Sequence, residues 1–157
     1  MSLAGRTPLL IVVGIIGVLV VYAVILLSSA PGSVTGSVPS SFTVNGKTYV
    51  FNYTATTESE REAGLMNRKV TAATTMLFAF PSSGEWTFWM KDTNTSLDII
   101  WISATGSYGR VVFLALGTQP ESTNYLTPTA SANYVIEAKA GFAANNGISI
   151  GTAVQFG

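Results

Sequence analysis

The chain has 157 residues, a formal net charge of zero and only 10% charged residues, with no cysteine and no histidine. Such a length suits one ordinary domain plus an appendage, and the neutral balance lacks the electrostatic footprint of a nucleic-acid binder. The absent residue types exclude disulfides, thiol chemistry, the usual zinc sites, haem ligation through histidine and every histidine-based triad. No cofactor is expected, and chemistry is left to carboxylate, lysine, tyrosine, hydroxyl and backbone groups.

From the N-terminus, Leu9 to Leu27 is a run of 19 residues without a charge or a strong polar group. As a helix rising about 1.5 Å per residue, it covers close to the hydrocarbon thickness of a bilayer. It is apolar all round, so it has no amphipathic face to lay on a small core. The expectation is a single transmembrane helix within residues 1–28. Arg6 precedes it and Lys47 is the next charge after it, which puts the N-terminus in the cytoplasm and the remainder outside. The alternative is a secreted protein cleaved near Ala30, since Ser28-Ser29-Ala30 supplies the small residues of a cleavage site, although the apolar run exceeds a typical signal core. Residues 29–41, rich in Ser, Gly, Pro and Val, form a flexible tether.

The folded domain is expected over residues 42–157. Asn45-Gly46, between Phe42–Val44 and Lys47–Thr54, predicts a hairpin on a type I′ turn. Thr57-Glu58-Ser59-Glu60 is a capping box that should start a short helix running to about Leu65 or Met66, with Gly64 helping to stop it. Met76–Phe80 is a short apolar strand ended by Pro81. Trp86–Lys91 alternates Trp86, Phe88 and Met90 against Thr87, Trp89 and Lys91, a strand pattern. Leu97–Ser103 and Val111–Leu116 form a hairpin around Gly106–Gly109. Gly117–Ala132, with Pro120 and Pro128, is a long loop. Tyr134–Ala138 is a strand, Ala140–Asn146 a helical turn and Thr152–Phe156 the closing strand. The architecture expected is mainly β, a compact antiparallel sheet or small barrel with one or two short helices.

Several of these segments, in order, resemble the DUF192 (UPF0127) family. They are Glu60-Arg61-Glu62-Ala63-Gly64-Leu65-Met66, Met76-Leu77-Phe78-Ala79-Phe80-Pro81, Phe88-Trp89-Met90-Lys91, Leu97-Asp98-Ile99-Ile100, and the tail from Tyr134-Val135-Ile136-Glu137 to Gly147-Ile148-Ser149-Ile150-Gly151. The resemblance covers about Phe42 to Phe156. It implies a small β-rich domain, often behind a signal peptide or membrane anchor, and no established activity. Three positions depart from the family pattern. Asp92 stands where Asn usually follows the lysine, Ser96 stands where Pro is common, and the Gly117–Ala132 loop lacks the two cysteines of many members.

Trp86–Trp101 concentrates all three tryptophans and both aspartates. A tryptophan beside a cation, a carboxylate and hydroxyls suits a sugar ring, whose C–H face packs on the indole. Trp89, Lys91, Asp92 and Asp98 are therefore the candidate ligand-binding residues, with Arg61 as a further partner. Asp98 is expected to share a strand face with Ile100 and Ile102, and to be paired with Lys91 or Arg61 or held by backbone N–H groups. Trp86 and Trp101 are expected in the core, and Trp89 either there or on the surface. Asp92 and Asp98 are a weak match to the carboxylate pair of a glycosidase, so the balance is against an enzyme. The expected function is a membrane-tethered extracytoplasmic domain that binds a small polar ligand such as a carbohydrate or envelope component. The alternative is a structural, pilin-like filament subunit, which would make the chain a homo-oligomer. The expected partners are thus the membrane and the ligand, and not nucleic acid. Asn52-Tyr53-Thr54 and Asn94-Thr95-Ser96 are acceptor sequons on the side expected to lie outside.

Overall fold

The computed structural model describes residues 37–157. The expected membrane helix and most of the tether lie outside the described residues. Within them, no helix is long and apolar enough to cross a membrane.

The chain forms β1 (Ser41–Val44), β2 (Lys47–Val50), β3 (Tyr53–Ala55), helix α1 (Glu58–Ala63), β4 (Thr75–Gly84), β5 (Leu97–Thr105), β6 (Tyr108–Ala115), β7 (Ala132–Lys139), helix α2 (Phe142–Asn145) and β8 (Ala153–Phe156). All eight strands join one sheet in the order β2-β1-β8-β6-β5-β7-β4-β3. The sheet curls into a half-barrel. Every pairing is antiparallel except β3 with β4, which is parallel. The two ends of the sheet are tied by chain crossing at Phe51-Asn52. Phe51 N–H donates to Ser40 C=O, Asn52 N–H donates to Thr75 C=O, and the Asn52 carboxamide oxygen accepts from Thr75 N–H. This crossing breaks the predicted strand Lys47–Thr54 into β2 and β3.

Local chemistry explains most boundaries. Asn45 and Gly46 both take positive φ, as a type I′ turn needs. The capping box is complete. Thr57 Oγ1 accepts from Glu60 N–H, and the Glu60 carboxylate accepts from Thr57 N–H at 3.0 Å. The Glu60 carboxylate also accepts from Thr56 N–H, and these backbone donors hold its pKa down to about 2. Helix α1 ends at Ala63, two residues short of expectation, because Gly64 at φ 46° and ψ −133° turns the chain out of the helix. β4 runs past Pro81. The pairing of β4 with β7 shifts between Ala79 and Gly84, so Pro81 lies in the irregular stretch and no ladder N–H is lost there.

The core has two parts. One cluster, including Phe42, Val44, Leu77, Ile100, Ile102, Val111, Ile136, Phe142, Val154 and Phe156, takes residues from across the sheet and fills the inside of the curl. The other, including Ala55, Leu65, Met76, Phe78, Phe88, Met90, Leu97, Ile99, Trp101 and Val135, lies on the outer side of β4, β5 and β7. Trp86–Lys91 belongs to this outer cover and is not the predicted strand. Its only β-type contact is the bridge between Phe88 and Leu126, so its alternation reflects burial of Phe88 and Met90 without a ladder. Trp101 Nε1 donates to Trp86 C=O, and Trp86 Nε1 donates to Ala132 C=O, satisfying both indoles.

Gly109 in β6 is a tight point. A Cβ there would lie 2.7 Å from Ile102 Cγ2 and 2.9 Å from Ala104 Cβ. Gly109→Ala should therefore lower stability by about 1–3 kcal/mol through overpacking, measured as a shift in urea midpoint. A midpoint equal to that of the wild type would show that the sheet relaxes there at no cost.

Candidate functional site

Five aromatic side chains gather beside α1. Phe80 and Trp86 stack face to face with centroids 4.2 Å apart and planes 8° from parallel. Phe88 and Trp89 continue the wall. Trp89 in turn lies nearly parallel to the exposed Tyr125, 6.0 Å away. A cation sits at each end of this run. Arg61 places its guanidinium over Phe80 at 5.1 Å, and Lys91 places its ammonium over Trp89 at 5.1 Å. Between α1 and the aromatic wall is a cleft of about 470 Å³, lined by Glu58, Arg61, Glu62, Phe80, Trp86, Thr87, Phe88 and Trp89. That volume is within the range of small-molecule sites.

Each residue reaches the cleft for a local reason. Arg61 is fixed by Nη1, which donates to Thr56 C=O at 2.7 Å and to Ala79 C=O at 3.1 Å. Glu58 and Glu62 are one helical turn apart, so both face the same side of α1. Phe80 leaves β4 where the pairing with β7 breaks down. Trp89 is half-buried because the Phe88–Leu126 bridge and the bond from Met90 N–H to Ser122 C=O turn its two neighbours inward. Among the described residues, larger hollows exist elsewhere. One, of about 650 Å³, lies over Thr43, Ser103, Tyr108, Arg110 and Gln155, and it has no converging aromatic wall.

Of the five predicted site residues, the structure brings Arg61 and Trp89 to the cleft and seats Lys91 on the far face of the Trp89 run. Asp92 is exposed in the following turn with φ 52°, where its C=O accepts from Asn67 N–H. Aspartate tolerates that left-handed conformation better than most residues. Asp98 does not join them. Strand alternation sends it to the opposite side of the sheet from Leu97, Ile99 and Trp101, towards the inner core with Ile100 and Ile102. It is paired with neither Lys91 nor Arg61. One carboxylate oxygen accepts from Gly117 N–H at 3.0 Å and the other from Ala143 N–H at 2.9 Å. Asp98 thus caps α2, whose own cap residue Gly141 has no side chain to do so, and anchors the start of the Gly117–Ala132 loop. With both oxygens accepting from backbone N–H groups, Asp98 is held in a structural role and is not free to pair with Asp92 as a glycosidase carboxylate. Among the described residues, no three acidic side chains converge to hold a metal ion.

The comparisons with known proteins agree with this architecture. The DUF192 family model, described as "Uncharacterized ACR", matches residues 41–156. The chain belongs to the DUF192 family. A crystal structure from Novosphingobium aromaticivorans DSM 12444, of a protein of unknown function, is 30% identical with a TM-score of 0.65, covering 81% of this chain and 93% of its own. A second, from Sinorhizobium meliloti 1021 and described as a candidate transcription regulator, is 28% identical with a TM-score of 0.65, covering 77% of this chain and 98% of its own. No curated protein matches the chain.

The sequence reading of the site in this DUF192 domain missed Glu137. Glu137 is central in β7, between Met76 of β4 and Ile99 of β5. It is 4% exposed, and its Oε2 is a buried side-chain oxygen without a hydrogen-bond partner. Burial pushes its pKa up to about 8. The available signal was a lone acid inside Val135-Ile136-Glu137-Ala138, a run buried on both faces. Glu58, Glu62, Phe80 and Tyr125 were also missed, because what brings them to Trp89 is the packing of α1, β4 and the Gly117–Ala132 loop and not a local motif.

The two buried carboxyls should behave oppositely. Asp98→Asn turns an N–H donor towards a backbone N–H and should cost about 2–3 kcal/mol, seen as a lower urea midpoint at pH 7; an unchanged midpoint would show that the two N–H bonds contribute nothing. For Glu137 the folded pKa of about 8 exceeds the ordinary 4.5, so the folded chain holds a proton that the unfolded chain has released between those values. Stability falls as pH rises across that window, by up to about 1.4 kcal/mol per unit. Glu137→Gln should flatten this slope in urea titrations between pH 5 and 8, and a variant that keeps the wild-type slope would place its origin elsewhere.

Proposed function

We propose that this protein is a membrane-tethered extracytoplasmic domain that binds a small polar ligand, such as a carbohydrate or envelope component, in the cleft between α1 and the Phe80–Trp86–Trp89 wall. The observation that carries the reading is the cleft itself, an aromatic surface flanked by Arg61, Glu58 and Glu62. Rings provide a flat apolar face for the C–H side of a sugar or similar molecule, and the charged groups at the rim reach its polar substituents. Trp89 and Arg61 are the ligand-facing residues of this reading, and Lys91 lies over the Trp89 ring outside the cleft lining. Asp92 is exposed in the turn that follows Lys91, and Asp98 supports the site from the far side of the sheet, where it accepts from Gly117 N–H at the start of the Gly117–Ala132 loop that carries Tyr125.

The tether rests on the uncharged run Leu9–Leu27, which is long enough to span a bilayer as a helix. Transcription regulation, the role given to the Sinorhizobium meliloti relative, is not carried to this chain. A net charge of zero supplies none of the phosphate neutralisation on which nucleic-acid affinity depends.

Titration of neutral mono- and disaccharides against intrinsic tryptophan fluorescence tests the cleft. The expected result is a saturable change that weakens about tenfold or more in Trp89→Ala, with the fold intact by circular dichroism. A response of the same size and midpoint in Trp89→Ala, or no response to any sugar or envelope fragment, would sink the reading.

A further inference from the structure

Glu137 is a buried acid for which the inner architecture provides no partner, and unpartnered buried carboxyls call for an explanation because of their desolvation cost. Its position relative to the cleft supplies one. Phe88, in the cleft wall, meets Phe78 edge-on with centroids 4.9 Å apart. Phe78 and Glu137 both abut Gly64 at the end of α1. A Cβ at Gly64 would lie 3.3 Å from Phe78 Cζ and 3.8 Å from Glu137 Oε2. The carboxyl therefore lies about one aromatic layer behind the cleft, under the turn that ends α1.

Helix α1 is a weak cover. None of its residues is buried. It is held by its capping box, by the two Arg61 bonds, and by Arg68 Nε donating to Gly64 C=O at 3.2 Å. Segments with few buried contacts open at a lower free energy than the whole fold. The same helix carries Glu58, Arg61 and Glu62 into the cleft, and the Gly64 turn that ends it abuts Glu137.

We propose that the cleft deepens when α1 lifts, and that Glu137 then receives an amine-bearing ligand, its carboxylate pairing with the ligand's ammonium. This rests on the cleft-binding reading and names the ligand class for it. A charge-assisted bond to an ammonium satisfies the orphan oxygen better than a neutral hydroxyl does. The rings of Phe78 and Phe88 favour a cation nearby, and the acids Glu58, Glu62 and Glu137 outnumber Arg61 around the cleft, which disfavours an anion.

Proton balance gives the proposal a signature. In the closed form burial keeps Glu137 protonated up to about pH 8, and pairing with an ammonium releases that proton to solvent. Among the described residues, no cation is bonded to Glu137 Oε2. The flanking segment of β4 is uncharged, Asp98 of β5 points to the opposite side of the sheet, and Lys139, further along β7, is exposed. On and after α1, Glu58, Glu60, Glu62, Arg68 and Lys69 are exposed, and Arg61 is bonded to backbone carbonyls. Burial is the only cause of the Glu137 shift.

The test uses ethanolamine, which stays protonated between pH 6 and 8, and ethylene glycol, its neutral counterpart, on the full chain in detergent. Binding is followed by tryptophan fluorescence, and proton release by calorimetry in two buffers of different ionisation enthalpy. The proposal expects ethanolamine to bind at least tenfold more tightly than the glycol, with affinity rising about tenfold per pH unit below 8 and close to one proton released at pH 6. Glu137→Gln should lose both the preference and the pH dependence. Should that variant not fold, the wild-type preference and proton count still decide. Equal binding of the two probes, no proton release, or an unchanged preference in Glu137→Gln overturns the role of Glu137 and leaves the cleft reading standing. Failure of both probes and of the neutral sugars overturns both.

Discussion

Three strands of this domain, β4, β5 and β7, are buried on both faces, and most other features follow from that. A two-sided strand normally needs helices across each face. Here the inner face is covered by the curl of the sheet itself, whose outlying strands bring Phe42, Val154 and Phe156 over Ile100 and Ile136. The outer face is covered by loops. Residues 85–96 and 117–131 lie across it, cross-linked by the Phe88–Leu126 bridge and by Met90 N–H donating to Ser122 C=O and Glu121 N–H to Thr93 C=O, while the Thr118 hydroxyl ties the second loop to Leu97 of β5. Cover made of loops is thinner than cover made of helices, and the aromatic cleft is where it stops short of α1.

Much of this was legible in the chain. The Asn45-Gly46 turn, the Thr57–Glu60 capping box and the hairpin of β5 with β6 each rest on a few adjacent residues whose chemistry admits one local answer. The family was legible for the same reason, since its motifs are local. What was not legible depends on partners distant in sequence. Alternation over Trp86–Lys91 is a true record of which side chains are buried, but alternation does not say whether a ladder runs beside it. The Asn52 break is decided by Thr75. The parallel pairing of β3 with β4 follows from that break.

The candidate site divides along the same line. Trp89, Lys91 and Arg61 were found from their residue types, and they are near the cleft. Asp98 was selected as a carboxylate near a tryptophan in sequence, yet one residue of strand register separates the two faces of a sheet. It stabilises backbone N–H groups where a ligand had been expected. Glu137 is its complement, a carboxyl on the outer side whose Oε2 has no hydrogen-bond partner among the described residues. The two acids are on adjacent strands and show how a sheet can give one carboxylate a structural task and leave its neighbour free.

The order of strands carries one more consequence, for the way the domain is made. β8 is inserted between β1 and β6, and Gly157 C=O accepts from Ser40 and Ser41 N–H. The β1–β2 hairpin is therefore among the first elements to leave the ribosome, but it has no place in the sheet until β8 has emerged. Until then β6 is an open edge and Phe42 has no inner core to enter. Folding of this kind, in which the first strand waits for the last, is dominated by contacts distant in sequence and is slow. The growing chain exposes apolar strands meanwhile, which makes the interval before β8 docks the period of greatest exposure to aggregation.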